Sequence, residues 1–195
     1  INTANAENYT LIVENSEGNQ KSFPLPKANS KAFAIALSNN DANITYNILG
    51  SEDYSKMSLY IHNRGIPLGV INAKQNIGKV LELGSAPEGV IHFVLIDTLG
   101  KIHSERVWFN RRMKRNSIVI ETPDKRVNPR EDANITLNLT SPTMESIHGN
   151  FSISVINNGQ SEVDMFSGGI ESYTLMTSDL TGYIEQAGYY FEKYD

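Results

Sequence analysis

The sequence predicts an all-β protein, read as two β-sandwich domains in tandem over residues 1–112 and 113–195. Two observations carry the prediction. Nearly every apolar segment alternates with period two, the strand period, and helical 3.6 spacing is scarce. Clusters of Gly, Asn, Asp and Ser separate these segments at short intervals, as a sandwich of short strands requires.

Taken in order, Tyr9, Leu11 and Val13 alternate in "NYTLIVENSEGNQ" and lead through a Ser-Glu-Gly-Asn turn to Phe23 and Leu25. Phe33, Ile35 and Leu37 alternate in "KAFAIALSNN", followed by Ile44, Tyr46 and Ile48, then Leu59 and Ile61 in "SLYIHNRG". The clearest hairpin is "GVIHFVLIDTLGKIHSERVWFN": Ile91, Phe93 and Leu95 run into the turn "DTLG", and Ile102 to Phe109 returns. Together these are about eight short strands. "NRRMKRN" then breaks the pattern with Arg111, Arg112, Lys114 and Arg115, and reads as a solvated connection between domains. Beyond it lie Ile118 to Ile120, then Ile135, Leu137 and Leu139, then Phe151, Ile153 and Val155 in "NFSISVINNG". Pro123, Pro129 and Pro142 fall between them. With so few strands, the second domain reads as incomplete or small. Its last segment, 170–195, leads toward a downstream region: Ile170, Tyr173, Leu175 and Met176 suit a short helix or a strand, and "TSDLTGYIEQAGYYF" holds too many glycines for a long helix.

Composition excludes several chemistries. Among 195 residues there is no cysteine, which removes disulfides, thiolate nucleophiles and cysteine-ligated metals. The net charge of −5 is uneven: residues 1–112 carry 11 basic and 10 acidic side chains, and 113–195 carry 6 and 12. Neither part has the basic face that nucleic acid demands. The longest apolar run, Val90 to Ile96 interrupted by His92, is far short of the roughly 20 residues of a membrane helix, so a soluble piece is expected. A chain that opens on Ile1 suggests a processed or excised segment.

The residues that could do chemistry are few. His92 and His103, on opposite arms of the hairpin, could approach and offer two metal ligands, but a site needs a third, and surface histidines are the plainer reading. His62 and His148 have no recognisable ligand spacing. Glu52 with Asp53 and Glu131 with Asp132 are adjacent pairs in loop-like contexts, unlike two carboxylates facing across a cleft. The sequons at Asn8, Asn43, Asn134, Asn138 and Asn150 read as composition, and Asn63-Arg-Gly and Asn157-Asn158-Gly159 as turns. Catalytic, cofactor-binding and metal residues are therefore expected to be none.

Two stretches resemble a known family. "TPDKRVNPREDANITLNLT" is similar to the entry of a macroglobulin-type domain through Asp124, Lys125, Pro129 and the strand Ile135 to Leu139. Val127 stands where the family usually has Tyr, and Arg130 where vertebrate members have Gly. "EGVIHFVLIDTLGKIHSERVWF", "FSISVINN" and "YTLMTSDLTGYIEQAGYYF" follow in an order similar to that in large envelope proteins of Bacteroidetes, whose macroglobulin-like parts resemble those of the alpha-macroglobulin family and some of which continue into TonB-dependent receptor plugs. The resemblance covers residues 85–195. It implies tandem Ig-like or fibronectin-III-like sandwiches, an exported protein of the periplasm or outer-membrane surface, and other domains of the same larger protein as partners, with other envelope proteins beyond them. It does not carry over a thioester trap, which needs a cysteine.

The functional expectation is a non-enzymatic structural or interaction module, without cofactor, nucleic-acid partner or membrane insertion. A glycan-binding or adhesin module is the alternative, resting on Trp108 and the terminal tyrosines. Tyr189, Tyr190 and Phe191 are expected to pack against the second sandwich.

Overall fold

A computed structural model of the chain describes residues 8–27, 29, 31–40, 42–50, 53–74, 77–111, 116–122, 130–156, 164 and 166–191, leaving aside the side chains of 77, 79 and 80. Glu52, the basic residues 112, 114 and 115, the Asp124 to Pro129 stretch and the Asn157 to Gly159 turn lie outside these. The described chain is all-β in character, with antiparallel strands and short helical turns only after residue 169. It forms two compact units, Ile1–Trp108 and Phe109–Asp195.

In the first unit, β1 (Thr10–Glu14) and β2 (Gln20–Pro24) pair as a hairpin. Its turn is held by Asn15 Oδ1, which accepts from the backbone N–H groups of Glu17 at 3.1 Å and Asn19 at 2.9 Å. Every residue of both strands is exposed, and they form a sheet of their own. This corrects the expectation that the hairpin belongs to the sandwich: alternation recorded the strand period correctly, but no second layer covers Leu11, Val13 or Phe23.

The layered part runs through β3 (Ala34–Asn39), β4 (Asn43–Leu49), β5 (Met57–Asn63), β6 (Ile66–Asn72), β7 (Ile77–Glu82), β8 (Gly89–Asp97) and β9 (Ile102–Asn110). Its strands form two sheets in the orders β3-β4-β7 and β6-β5-β8-β9. In β4 and β5 burial alternates residue by residue, so that Ile44, Tyr46 and Ile48 of one sheet and Met57, Leu59 and Ile61 of the other point inward. Ile91, Phe93 and Leu95 of β8 join them, with Phe33, Ile35, Ala73 and Ala86, in one hydrophobic cluster. Leu59, Ile91, Phe93 and Leu95 are completely buried, and each such side chain contributes about 1.5–3 kcal/mol on transfer from water. Leu37, Leu68, Ile71 and Trp108 pack half-buried around this cluster.

β6 and β7 escape a pattern reading for identifiable reasons. β6 contains Pro67 and Gly69, which break strand signals, and it lies at a sheet edge, where proline is tolerated. β7 is also an edge strand, with Gly78 opposite Tyr46. A Cβ at Gly78 would come within 3.0 Å of the Tyr46 ring, so the glycine is what lets the ring lie across β7.

In the second unit β10 (Ser117–Glu121) and β11 (Thr136–Thr140) pair with Ile118 opposite Leu139 and Ile120 opposite Leu137. After β11, Ser141 Oγ accepts from the N–H groups of Thr143 and Glu145, turning the chain back. A bridge from Thr140 to Ser146 and a bond from Ile147 N–H to the Leu139 carbonyl begin a third line beside β11. It does not continue. The expected strand at Phe151, Ile153 and Val155 is absent, and these side chains are 45%, 70% and 85% exposed. A strand is stabilised by cross-strand pairs that bury its side chains, and these residues have none among the described residues. The unit closes with a helical turn α1 (Ile170–Ser172), a π-helical turn Tyr173–Thr177 and a 3₁₀ turn Ala187–Phe191.

The two units therefore differ in how substitutions should be felt. Phe93→Ala should cost about 3–5 kcal/mol by chemical denaturation. Ile153→Ala, on an exposed side chain, should stay within about 0.5 kcal/mol.

Candidate functional site

The register of β5 against β8 places His62 opposite His92. Their rings stack with centroids 4.7 Å apart and planes 5° apart, and Tyr60 leans on His62 at 5.4 Å. From β9, Glu105 Oε1 lies 2.7 Å from His92 Nδ1. His92 is buried, while Glu105 is about half exposed. The strand pairings thus line up a phenol, two imidazoles and a carboxylate on the face of the four-stranded sheet away from the Phe93 core.

His92 does not meet His103, the partner its hairpin suggested. His103 pairs instead with Asp97, Nε2 to Oδ2 at 2.9 Å, and stands edge-on against Phe33 at 5.6 Å. Within the hairpin His92 meets Glu105 rather than His103, and its ring stacks on His62, thirty residues away in sequence. The signal available was the outward position of Tyr60 and His62 between the inward Leu59 and Ile61. Its use required knowing that β5 is the neighbour of β8. Among the described residues no group of three His, Asp or Glu side chains could hold a metal ion.

Asp97 also organises the β8–β9 turn. Its Oδ1 accepts from Leu99 N–H at 2.8 Å and Lys101 N–H at 3.0 Å, and Gly100 takes the positive φ of +80° that closes the loop. The His103 hydrogen bond, followed by the Lys101 and Leu99 amides, holds the Asp97 carboxyl below its ordinary range. Asp53, of the adjacent pair Glu52 and Asp53, is likewise lowered, first by the Ser55 N–H and then by its hydroxyl, and closes a turn in the same manner. Glu131, Asp132 and His148 are exposed outside any strand.

The second unit holds a cleft of about 450 Å³, lined by Asp164, Ser167, Thr177, Tyr183, Glu185 and Gln186 among others, with no lysine or arginine among the described residues. Tyr183 is 92% exposed. Arg111, read from the sequence as part of a connection, donates from Nη2 to the Phe191 carbonyl at 2.7 Å and from Nη1 to the Tyr190 carbonyl at 3.3 Å. The guanidinium thereby satisfies carbonyls at the end of the 3₁₀ turn, where a cation is favoured. Phe191 is half-buried edge-on against Phe109 at 5.5 Å, and Tyr189 and Tyr190 remain about half exposed, against expectation. The Tyr189 ring meets those of Tyr190 and Phe166. Trp108 packs on the first unit's core and offers no open platform. No helix of the described chain is long and apolar enough to cross a membrane.

Comparison with models of protein families, with curated proteins and with solved structures found no match.

The lowered Asp97 carboxyl has a definite sign in a pH titration. Its contribution is present above the ordinary aspartate value of about 3.9 and is lost as pH falls through the lower folded value. Thermal unfolding followed from pH 6 to pH 2 should show a shallower acid decline for Asp97→Asn than for the unsubstituted protein.

Proposed function

We propose that the chain is a non-catalytic structural or interaction module of a larger exported bacterial envelope protein, built on an Ig-like or fibronectin-III-like sandwich of the macroglobulin kind. One observation supports this most directly. Seven antiparallel strands divide three and four between the sheets β3-β4-β7 and β6-β5-β8-β9, with crossings at β4 to β5, β6 to β7 and β7 to β8, a plan characteristic of Ig-like sandwiches. The order of the "EGVIHFVLIDTLGKIHSERVWF", "FSISVINN" and "YTLMTSDLTGYIEQAGYYF" segments supports the macroglobulin-like reading of the chain. The second unit is read on the same grounds as an incomplete member of the series, starting at the β10–β11 pair. Its partners are other domains of the same protein, and other envelope proteins beyond them.

Several carboxylates of the first unit are engaged in holding turns and strands. Asp53 and Asp97 close turns, and Glu105 is bonded to His92. This supports a module whose polar groups act mainly as structure.

A second reading, a glycan-binding or adhesin module, is favoured by the cleft beside Tyr183. It combines an open aromatic face with carboxylate and hydroxyl groups that suit a neutral sugar.

Cell fractionation with an antibody raised against residues 33–110 tests the main proposal. The protein is expected in the periplasmic or outer-membrane fraction, and recovery in the cytosol would sink it. For the second reading, calorimetric titration with neutral oligosaccharides should give saturable binding that Tyr183→Ala removes.

A further inference from the structure

The imidazole stack reaches into the backbone of the β5–β6 hairpin. His62 Nδ1 accepts the Gly65 N–H at 3.3 Å. That bond closes the two-residue turn between Asn63 and Ile66, in which Arg64 and Gly65 both adopt positive φ, +52° and +76°. Such turns suit the strand twist but strain a residue like Arg64, which carries a Cβ. The side-chain acceptor two residues earlier therefore helps to hold a turn with a conformational cost of its own.

Two parallel rings one above the other project their nitrogens outward in separate planes, so their lone pairs do not converge on a metal. They are instead sensitive to protons. Neutral His62 has a lone pair at Nδ1 for Gly65. Protonated His62 is a donor at both nitrogens, and an N–H would then face the Gly65 N–H. The new charge would also lie 4.7 Å from the ring of His92, whose Nδ1 is 2.7 Å from Glu105 Oε1. Glu105 faces from β9, and His92 from β8. Tyr60 faces His62 from β5, Arg64 belongs to the turn itself, and Pro67 lies across on β6.

We propose that His62 is a proton-sensitive latch on the β5–β6 hairpin: neutral, it closes the Arg64-Gly65 turn, and protonated, it releases the turn and loosens the edge strand β6. The sign follows from linkage. The closed turn binds the proton less readily than the open one, so acidification through the histidine range favours opening. β6 is an edge strand carrying the exposed Ile66 and Val70, so its loosening would change which backbone groups the sheet offers to a partner strand.

Nuclear magnetic resonance of the whole chain between pH 8 and pH 4.5 provides the test. The Gly65 amide resonance is expected to move with the same midpoint as the His62 ring protons. Exchange of the β6 amides, corrected for intrinsic rates, should rise about fivefold across that midpoint, the ratio that one lost net hydrogen bond implies. His62→Asn keeps an acceptor close to the position of Nδ1 and cannot titrate, so it should abolish both responses with the turn closed. If that variant fails to fold, coincidence of the Gly65 and His62 midpoints in the unsubstituted protein decides alone. A Gly65 amide that stays still while the His62 ring titrates would overturn the latch. So would a response that persists in His62→Asn, or no response from either group.

Discussion

The first unit depends on one closure: the inward faces of β3-β4-β7 and β6-β5-β8-β9 bury each other. Ile44, Ile48, Leu59, Ile61 and Phe93 are nearly or wholly excluded from solvent, and none would be so on one sheet alone. A two-sided strand pattern fixes register, because a slip of one residue would turn Leu59 and Ile61 outward and bring Tyr60 and His62 in. The imidazole stack is therefore a consequence of the core: burying Leu59 against Leu95 sets Tyr60 against Val94 and His62 against His92.

The central strand β8 shows what that closure demands. Val90, His92 and Val94 are buried as well as Ile91, Phe93 and Leu95, so the strand is covered on both faces. That explains its nearly continuous apolar run, the usual mark of a strand buried on both sides. It also explains why the imidazole at 92 lies against Glu105: a polar side chain taken from water at such a position is costly unless it is hydrogen-bonded. Coverage of the outer face is thus where chemistry and packing meet, and where the fold has put its titratable groups closest together.

Among the described residues the second unit has no comparable closure. β10 is exposed throughout, and the third line beside β11 stops after Ile147. Local devices hold what order there is. Ser172 Oγ accepts the Gly169 N–H at 2.9 Å and donates to its carbonyl at 3.0 Å, fixing the start of α1. The bond from Ser178 N–H to the Tyr173 carbonyl spans five residues and makes the following turn π-helical, a geometry often found at functional positions. That turn contributes Thr177 to the cleft near Tyr183.

By itself the sequence determined the strand period and most of the strands. In Ile44, Tyr46 and Ile48, or Leu59 and Ile61, it also named the residues of the core, since period-two alternation is a local property that a sheet face reads directly. It could not place β6, whose Pro67 is tolerated because the strand lies at a sheet edge, or β7, whose Gly78 makes room for the Tyr46 ring, both facts about neighbours rather than about local preference. Nor could it show that the alternating residues Phe151, Ile153 and Val155 remain outside any strand, or that Tyr189 and Tyr190 stay half exposed while Phe191 packs. The partnership of His62 and His92, and with it the link to Gly65, was decided by tertiary structure alone. It arises from the pairing of β5 with β8, a contact between distant segments whose register is set by what the opposite face of the sheet must bury.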